Sequence, residues 1–241
     1  MKRIIPRNKG LIPACDVSFI HNERLIEATY DIPEVVAFKL PQRAGRKGWE
    51  TWVREIRKHT SKPILIDTQK WIPDPVKKVN RDNIRAFKDA GIDAAFIFPV
   101  INFENLEDIL KTAQNIDFGI IVGGEMTTKD KGRKYLLESI ASGVYYHAAE
   151  LGITDFVVPG TKPDRIECYK NLIASARIQN PVFYSPGFIA QGGKITKGLK
   201  AAGKRFHAIV GRGIYWNKEK NRLNNVDEMR KATLNLAKKL Q

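Results

Sequence analysis

Two glycine-rich turns near the end of the chain have the residue types that bind a phosphate group. The first turn covers residues 185–193 and contains Gln191, and the second is Gly211-Arg212-Gly213. Each follows directly after a short apolar run, 181–184 and 207–210. Glycines let backbone N–H groups approach an anion closely, and an arginine adds a charged, bidentate donor. Either turn alone is explained better as an ordinary loop, but two of them in the last quarter of the chain favour a phosphate site.

Charged residues follow the first three apolar runs of the chain. Asp16 comes after the first run, Lys39 lies near the end of the second, and Asp67 and Lys70 follow the third. Each alone suits a helix entry or a lysine at the protein surface. Four such residues at the ends of three adjacent apolar runs favour a functional site. If these runs are strands of a barrel, their ends lie in its mouth, where unpaired charge is costly.

Short apolar runs alternate with helical patterns along the whole chain, and this alternation predicts the fold. The predicted strands are 11–17, 35–40, 63–67, 94–98, 118–122, 155–158, 181–184 and 206–210. The predicted helices are 22–29, 49–59, 76–90, 105–113, 134–151, 163–176, 194–202 and 225–240. Eight βα units predict an α/β protein, a (β/α)8 TIM barrel formed as one domain by residues 1–241. The absence of a G-x-G-x-x-G turn after the first strand argues against a dinucleotide-binding fold.

The charge and the cysteines limit the partners and the location. The chain has 41 Lys and Arg against 26 Asp and Glu, a net charge of +15. The basic residues are dispersed and form no nucleic-acid-binding motif, so we predict a solvated surface that helps to attract an anionic substrate, without nucleic acid. Cys15 and Cys168 form no metal or redox spacing. With no signal peptide and no run of membrane-spanning length, the sequence predicts a cytoplasmic protein that has no membrane contact.

Several motifs together resemble the orotidine 5′-monophosphate decarboxylase family, most closely its archaeal branch. The resemblance covers nearly the whole chain. It is carried by Glu125-Met126, by Val158-Pro159-Gly160-Thr161-Lys162-Pro163-Asp164-Arg165-Ile166, by Ser185-Pro186-Gly187-Phe188-Ile189-Ala190-Gln191-Gly192-Gly193, and by Ile209-Val210-Gly211-Arg212-Gly213-Ile214-Tyr215. It implies a TIM barrel that is active as a homodimer, without metal or organic cofactor. It also implies a carboxy-lyase that converts orotidine 5′-monophosphate to UMP in pyrimidine biosynthesis.

The resemblance also implies a role for individual residues. Asp16 corresponds to a ribose contact, Thr127 to a pyrimidine contact, and Pro186 to the loop that closes over the ligand. Gln191 corresponds to a contact with phosphate and base, and Gly192, Gly211 and Arg212 to the phosphate site. The catalytic residues implied are Lys39, Asp67, Lys70 and Asp74, of which Asp74 acts across the dimer interface. They form a charge array in which a lysine donates the proton.

One segment departs from the family pattern. The family has an aspartate and a lysine two residues apart, whereas Asp67 and Lys70 are three apart, with Asp74 four further on. On a regular strand, residues three apart face opposite sides, so Lys70 joins Asp67 only if the strand bulges or has ended. Alternatively, Gln69 occupies the position of the lysine and catalysis is lost. Two other functions therefore stay open, a barrel enzyme for another phosphorylated substrate and an inactive homologue that binds nucleotide or RNA.

Overall fold

The protein folds into eight parallel strands with helices between them. Its computed structural model describes residues 3–41, 48–67, 73–99, 103–127 and 134–241, without the side chains of 134–139. The strands are β1 (Lys9–Pro13), β2 (Phe38–Pro41), β3 (Ile64–Asp67), β4 (Ala94–Ile97), β5 (Gly119–Gly123), β6 (Asp155–Val157), β7 (Val182–Ser185) and β8 (Phe206–Val210). They lie in one sheet in the order β1-β8-β7-β6-β5-β4-β3-β2.

A helix follows each of the eight strands. These helices are α1 (Phe19–Thr29), α2 (Gly48–Arg57), α3 (Lys77–Asp89), α4 (Phe103–Asn115), α5 (Lys134–Glu150), α6 (Pro163–Ser175), α7 (Ile195–Ala202) and α8 (Arg212–Tyr215). After α8 come a two-stranded hairpin, β9 (Trp216–Asn217) with β10 (Arg222–Leu223), the helix α9 (Val226–Ala237) and a 3-10 turn (Lys238–Leu240). The alternation confirms the predicted (β/α)8 fold. Across the described residues, every helix is too short or too polar to span a bilayer.

The sheet closes where β1 meets β2. β1 pairs with β8 over its whole length, from Lys9 opposite Phe206 to Pro13 opposite Val210. Its contact with the β2 side consists of two isolated bridges, Leu11 to Val35 and Ala14 to Lys39. We call this junction the β1–β2 seam. It completes the ring of strands through isolated bridges and not through a regular ladder.

The first strand ends earlier than the sequence predicted. We expected it to run to residue 17, but β1 ends at Pro13. The N–H of Asp16 turns back to the carbonyl of Ala14 at 2.9 Å, while the N–H of Cys15 donates to the carbonyl of Lys39 at 2.9 Å. The chain therefore leaves the ladder just before Asp16, which places that carboxylate over the β1–β2 seam.

The alternation of side chains along the strands points the charged residues into the barrel mouth. Ala37 and Leu65 belong to the apolar core inside the barrel. Because side chains two residues apart share a face of a strand, Lys39 and Asp67 face the same interior, closer to its C-terminal end. In a (β/α)8 barrel this end carries the functional residues.

Candidate active site

Lys39 lies between two carboxylates at the C-terminal end of the barrel. Its Nζ is 3.2 Å from Asp16 Oδ1 and 2.5 Å from Asp67 Oδ2. Burial, which leaves Lys39 7% exposed, would lower its pKa, but attraction by Asp67 and Asp16 and the hydrogen bonds to them raise the pKa overall. The lysine is therefore a buried ammonium at neutral pH. We call Asp16, Lys39 and Asp67 the ion-pair group.

The altered segment runs from Asp67 to Asp74, and the structure describes its two ends. Gln69 and Lys70 fall within 68–72, outside the described residues, so the position of the predicted proton donor stays a prediction. Asp74 is described, and its Oδ1 accepts from the N–H of Val76 at 2.7 Å. Its carbonyl accepts from the side chains of the buried residues Asn80 and Asn105. These contacts fix the loop to α3 and α4, and within the described chain Asp74 has no hydrogen bond to the ion-pair group.

The first glycine turn brings three of the predicted substrate-binding residues together around Gly187. Gly187 has φ +100°, a conformation that side chains rarely adopt. A Cβ added there would lie 2.9 Å from both Gln191 Oε1 and Thr127 Cγ2. Pro186, just before it, accepts a hydrogen bond from Gly160 N at 2.9 Å. The carboxamide and the threonine therefore line one small surface, and only a glycine fits between them.

The backbone donors of the first glycine turn are engaged within the turn. The N–H of Gly192 donates to the carbonyl of Ile189 at 3.0 Å, and the N–H of Gly193 donates to Gly187 at 3.1 Å. The N–H of Gly192 can donate to a phosphate only if its hydrogen bond to the carbonyl of Ile189 is broken. Ile189 has φ +62° and is 45% exposed, an unusual and strained conformation for a β-branched residue. The backbone strain at Ile189 therefore favours a change in the conformation of this turn.

The second glycine turn packs against the first and lies next to β1. A Cβ added at Gly213 would be 3.0 Å from the Cβ of Ile189. A Cβ at Gly211 would be 3.3 Å from the Tyr215 hydroxyl and 3.5 Å from the Cβ of Ala14. Arg212 begins α8 and is exposed. The two turns therefore form one rim, close to the strand end that leads to Asp16.

A buried carboxylate beside this rim, Glu125, belongs to a motif that carries the resemblance, but the sequence assigned it no role. Glu125 is 4% exposed and accepts hydrogen bonds from Lys162 Nζ, from Arg165 Nε at 3.1 Å and from the Tyr169 hydroxyl. Burial would raise its pKa, but the hydrogen bonds from Lys162, Tyr169 and Arg165 lower it overall, so Glu125 stays ionised. Its partners lie three and four residues apart on one face of the α6 N-terminus, a spacing that signals a shared contact. We call these four residues the Glu125 cluster.

Among the described side chains, no three His, Cys, Asp or Glu residues come together in a way that would hold a metal ion. A cavity of about 580 Å³ opens at the other end of the barrel, with Arg3, Asp93 and Asp155 in its wall. It lies away from the ion-pair group and the glycine turns, at the N-terminal ends of the strands.

Comparison with known sequences gives a consistent set of relatives. No family model matches the chain. A protein of Methanosarcina mazei named orotidine 5′-phosphate decarboxylase is 26% identical over 210 residues, 87% of this chain and 89% of the relative. Two others carry the same name. The relative from Methanosarcina barkeri is 30% identical over 153 residues, 64% of each chain, and that from Methanococcus maripaludis is 26% identical over 171 residues, 64% of this chain and 76% of the relative.

Solved structures with the same fold carry the same name. The orotidine 5′-monophosphate decarboxylase of Methanocaldococcus jannaschii, complexed with the inhibitor BMP, has a TM-score of 0.78 at 20% identity, covering 98% of this chain and 99% of that chain. The enzyme from Pyrococcus horikoshii has a TM-score of 0.75 at 22% identity, covering 95% and 98%. The chain therefore resembles archaeal orotidine 5′-phosphate decarboxylases in sequence and has their barrel fold, which confirms the resemblance inferred from the motifs.

Proposed function

We propose that this protein is a carboxy-lyase that converts orotidine 5′-monophosphate to UMP without a cofactor. One observation carries the proposal: a buried lysine lies between two carboxylates at the barrel end that also bears two glycine turns. A decarboxylase for a phosphorylated nucleotide needs both a charged reaction centre and a separate anion site. The names of the relatives supply the specific substrate.

The two glycine turns would bind the 5′-phosphate. Arg212 is exposed at the rim, where its guanidinium can form two charged hydrogen bonds to phosphate oxygens. Gln191 lies beside Gly187 and Thr127, and its carboxamide would contact both the phosphate and the pyrimidine. Binding energy from this non-reacting part of the substrate would then be used at the reacting carbon.

The ion-pair group and Lys70 would carry out the reaction. Asp67 lies near the substrate carboxylate, and the repulsion of like charges disfavours the bound ground state. The bond from pyrimidine carbon to carboxylate breaks, carbon dioxide leaves, and the electron pair stays on the ring carbon. The Lys70 ammonium stabilises this carbanion and donates a proton to it. Lys39 holds Asp67 and Asp16 in place, and Asp16 receives the ribose hydroxyls.

The same proposal includes a homodimer. Asp74 would reach the neighbouring active site and complete the alternation of charges around Lys70. Large apolar side chains next to it support an interface at the start of α3 and α4. Val76 and Val79 on the α3 side are 57% and 40% exposed, and Phe103 at the start of α4 is 38% exposed.

We also propose a cytoplasmic location, because the cysteine usage is typical of a reducing compartment.

A spectroscopic assay tests the activity. Purified protein with EDTA should bleach the absorbance of orotidine 5′-monophosphate and form UMP, identified by chromatography. The matched control is the Lys39→Met variant, which should bind UMP but react far more slowly. Turnover that requires an added divalent metal would favour another phosphorylated substrate as the natural one. Tight UMP binding without turnover would favour the inactive homologue.

A further inference from the structure

We propose that Glu125 is a positioning residue for base recognition, acting through the Glu125 cluster on Thr127. The inference rests on the proposed function, because it assigns part of the same site. Glu125 is not among the residues implied by the family motifs to touch substrate. Its place in the fold nevertheless links it to the surface around Gly187.

The Glu125 cluster joins the end of β5 to the start of α6. Glu125 lies two residues after β5, whereas Lys162 precedes α6 and Arg165 and Tyr169 belong to it. Arg165 also donates to the Tyr169 hydroxyl at 2.6 Å, which orients both donors towards the carboxylate. The N–H of Glu125 donates to the Tyr145 hydroxyl at 3.3 Å, and that hydroxyl donates to the carbonyl of Val157 at 2.7 Å. Both the backbone and the side chain of Glu125 are therefore fixed.

The two segments that the cluster joins are the two walls beside Gly187. Thr127 is two residues beyond Glu125, and Thr161 directly precedes Lys162. The Cγ2 atoms of Thr127 and Thr161 lie 2.9 Å and 3.1 Å from a Cβ built at Gly187, on the same small surface as the Gln191 carboxamide. Loosening the ion pairs between Glu125 and Lys162 lets these walls separate. Thr127 would then lose its fixed distance to the base.

The environment of Glu125 excludes a direct role in the reaction. At 4% exposure, its two oxygens already accept from an ammonium, a guanidinium and a hydroxyl. Three of its acceptor directions are occupied, and the buried carboxylate has almost no open surface towards a ligand. Its contribution is to hold other groups, and its effect should appear only for ligands that contact Thr127.

The test compares two ligands that differ in the base. UMP has the phosphate, the ribose and the pyrimidine, whereas ribose 5-phosphate lacks the pyrimidine. Glu125→Gln keeps the shape of the side chain but removes its charge. We expect it to weaken UMP binding about tenfold, measured by calorimetry, and to leave the affinity for ribose 5-phosphate within about twofold of the parent. In a Thr127→Ala background the effect of Glu125→Gln on UMP should disappear.

Two further variants keep the result independent of folding. Tyr169→Phe removes one hydrogen bond to Glu125 and should weaken UMP binding in the same selective way, by a smaller factor. The matched control is Asp155→Asn, which alters another buried carboxylate, bonded to Tyr184 and Thr154 at the opposite end of the barrel. It should change thermal stability without changing the ratio of the two affinities.

Equal weakening of both ligands by Glu125→Gln and Tyr169→Phe would overturn the inference, since the cluster would then act on the whole fold. So would a full effect of Glu125→Gln in the Thr127→Ala background. Failure of the proposed function has a different signature: the parent protein would not convert orotidine 5′-monophosphate to UMP in the assay with EDTA, whatever its affinities for UMP and ribose 5-phosphate.

Discussion

Lys39 of β2 donates to Asp67 of β3 across neighbouring parallel strands, with 2.5 Å between Nζ and Oδ2. The same ammonium reaches Asp16 over the β1–β2 seam at 3.2 Å. One cation thus holds the C-terminal ends of three strands together. Its removal affects both the stability of the barrel mouth and the charge pattern at the reacting carbon.

The first prediction separates these two effects. Lys39→Met should reduce kcat by about 10²–10³, the range for loss of one preorganised hydrogen-bond donor. It should destabilise the fold by about 1–3 kcal/mol, less than for a fully buried pair because Asp16 is 40% exposed. In the double variant Lys39→Met with Asp67→Asn, denaturant unfolding should recover stability, while activity stays lost. Recovered activity in the double variant would show that the ion pair only supports the fold.

The second prediction concerns the altered spacing. Lys70→Ala should abolish decarboxylation while UMP binding persists, because a carbanion needs a nearby cation and a proton source. Gln69→Ala should be milder, since a carboxamide supplies neither a cation nor an acidic proton. Single-turnover assays on both variants measure the rate of decarboxylation. Near-normal turnover of Lys70→Ala would contradict the assignment of Lys70 as proton donor.

The third prediction tests the phosphate site. Arg212→Ala should weaken UMP binding by about 1.5–3 kcal/mol, as expected for hydrogen bonds to a charged group. Calorimetry with UMP and with uridine provides the comparison, and the loss should be confined to UMP. An unchanged UMP affinity would place the phosphate elsewhere. Lys218→Ala, which changes an exposed charge nearby in the chain, is a suitable control.

The fourth prediction tests the dimer through mixed subunits. Asp74→Asn and Lys70→Ala should each be inactive. If Asp74 acts across the interface, a mixed dimer has one intact active site, so co-refolding equal amounts should restore about a quarter of the parent activity. If a stable mixed dimer forms and no activity is restored, Asp74 acts in the active site of its own subunit. A fully active monomer in sedimentation would remove the cross-subunit role altogether.

The fifth prediction concerns a buried histidine. His207 faces the barrel interior with 0% exposure, and burial, followed by the charges of Arg3 and Arg205, lowers its pKa to about 3. Unfolding lets His207 take up a proton at its ordinary pKa of about 6.5, so its contribution to stability should be nearly constant well above that pH and should fall with acidification. The slope of this contribution should be about 0.7 kcal/mol per pH unit at about pH 6.5 and should approach about 1.4 kcal/mol per pH unit near about pH 5.

The change His207→Phe tests that slope. The phenylalanine ring can still pack against Tyr184, whose ring centroid is 5.1 Å from the centroid of the His207 imidazole. Urea unfolding at several pH values should give a flatter dependence for this variant than for the parent. His147→Gln, at a partly exposed position on α5, should keep the parent slope. Identical slopes for parent and His207→Phe would exclude His207 as the cause.

The barrel could be predicted because its signals are local. Apolar runs and helical periodicity lie within short windows, and parallel strands place their C-terminal ends on one rim, so Lys39 and Asp67 were expected near each other. The β9–β10 hairpin was missed because strands of two residues show no period. The Glu125 cluster was missed because its partners are 37 to 44 residues away, a distance that no local pattern bridges.

The β1–β2 seam also has a consequence for the order in which the chain folds. β1 can join β8 only after nearly the whole chain has been made, and contacts between such distant segments form late because the loop between them must first be closed. Lys39 and Asp16 are only 23 residues apart in the chain, and Lys39 and Asp67 are 28 apart, so neither ion pair depends on that late pairing. A partly folded chain that contains β1, β2 and β3 could therefore already hold Lys39 between both carboxylates. The ion-pair group would then keep β1 beside β2 while the barrel is still open, and the pairing of β1 with β8 closes the ring last.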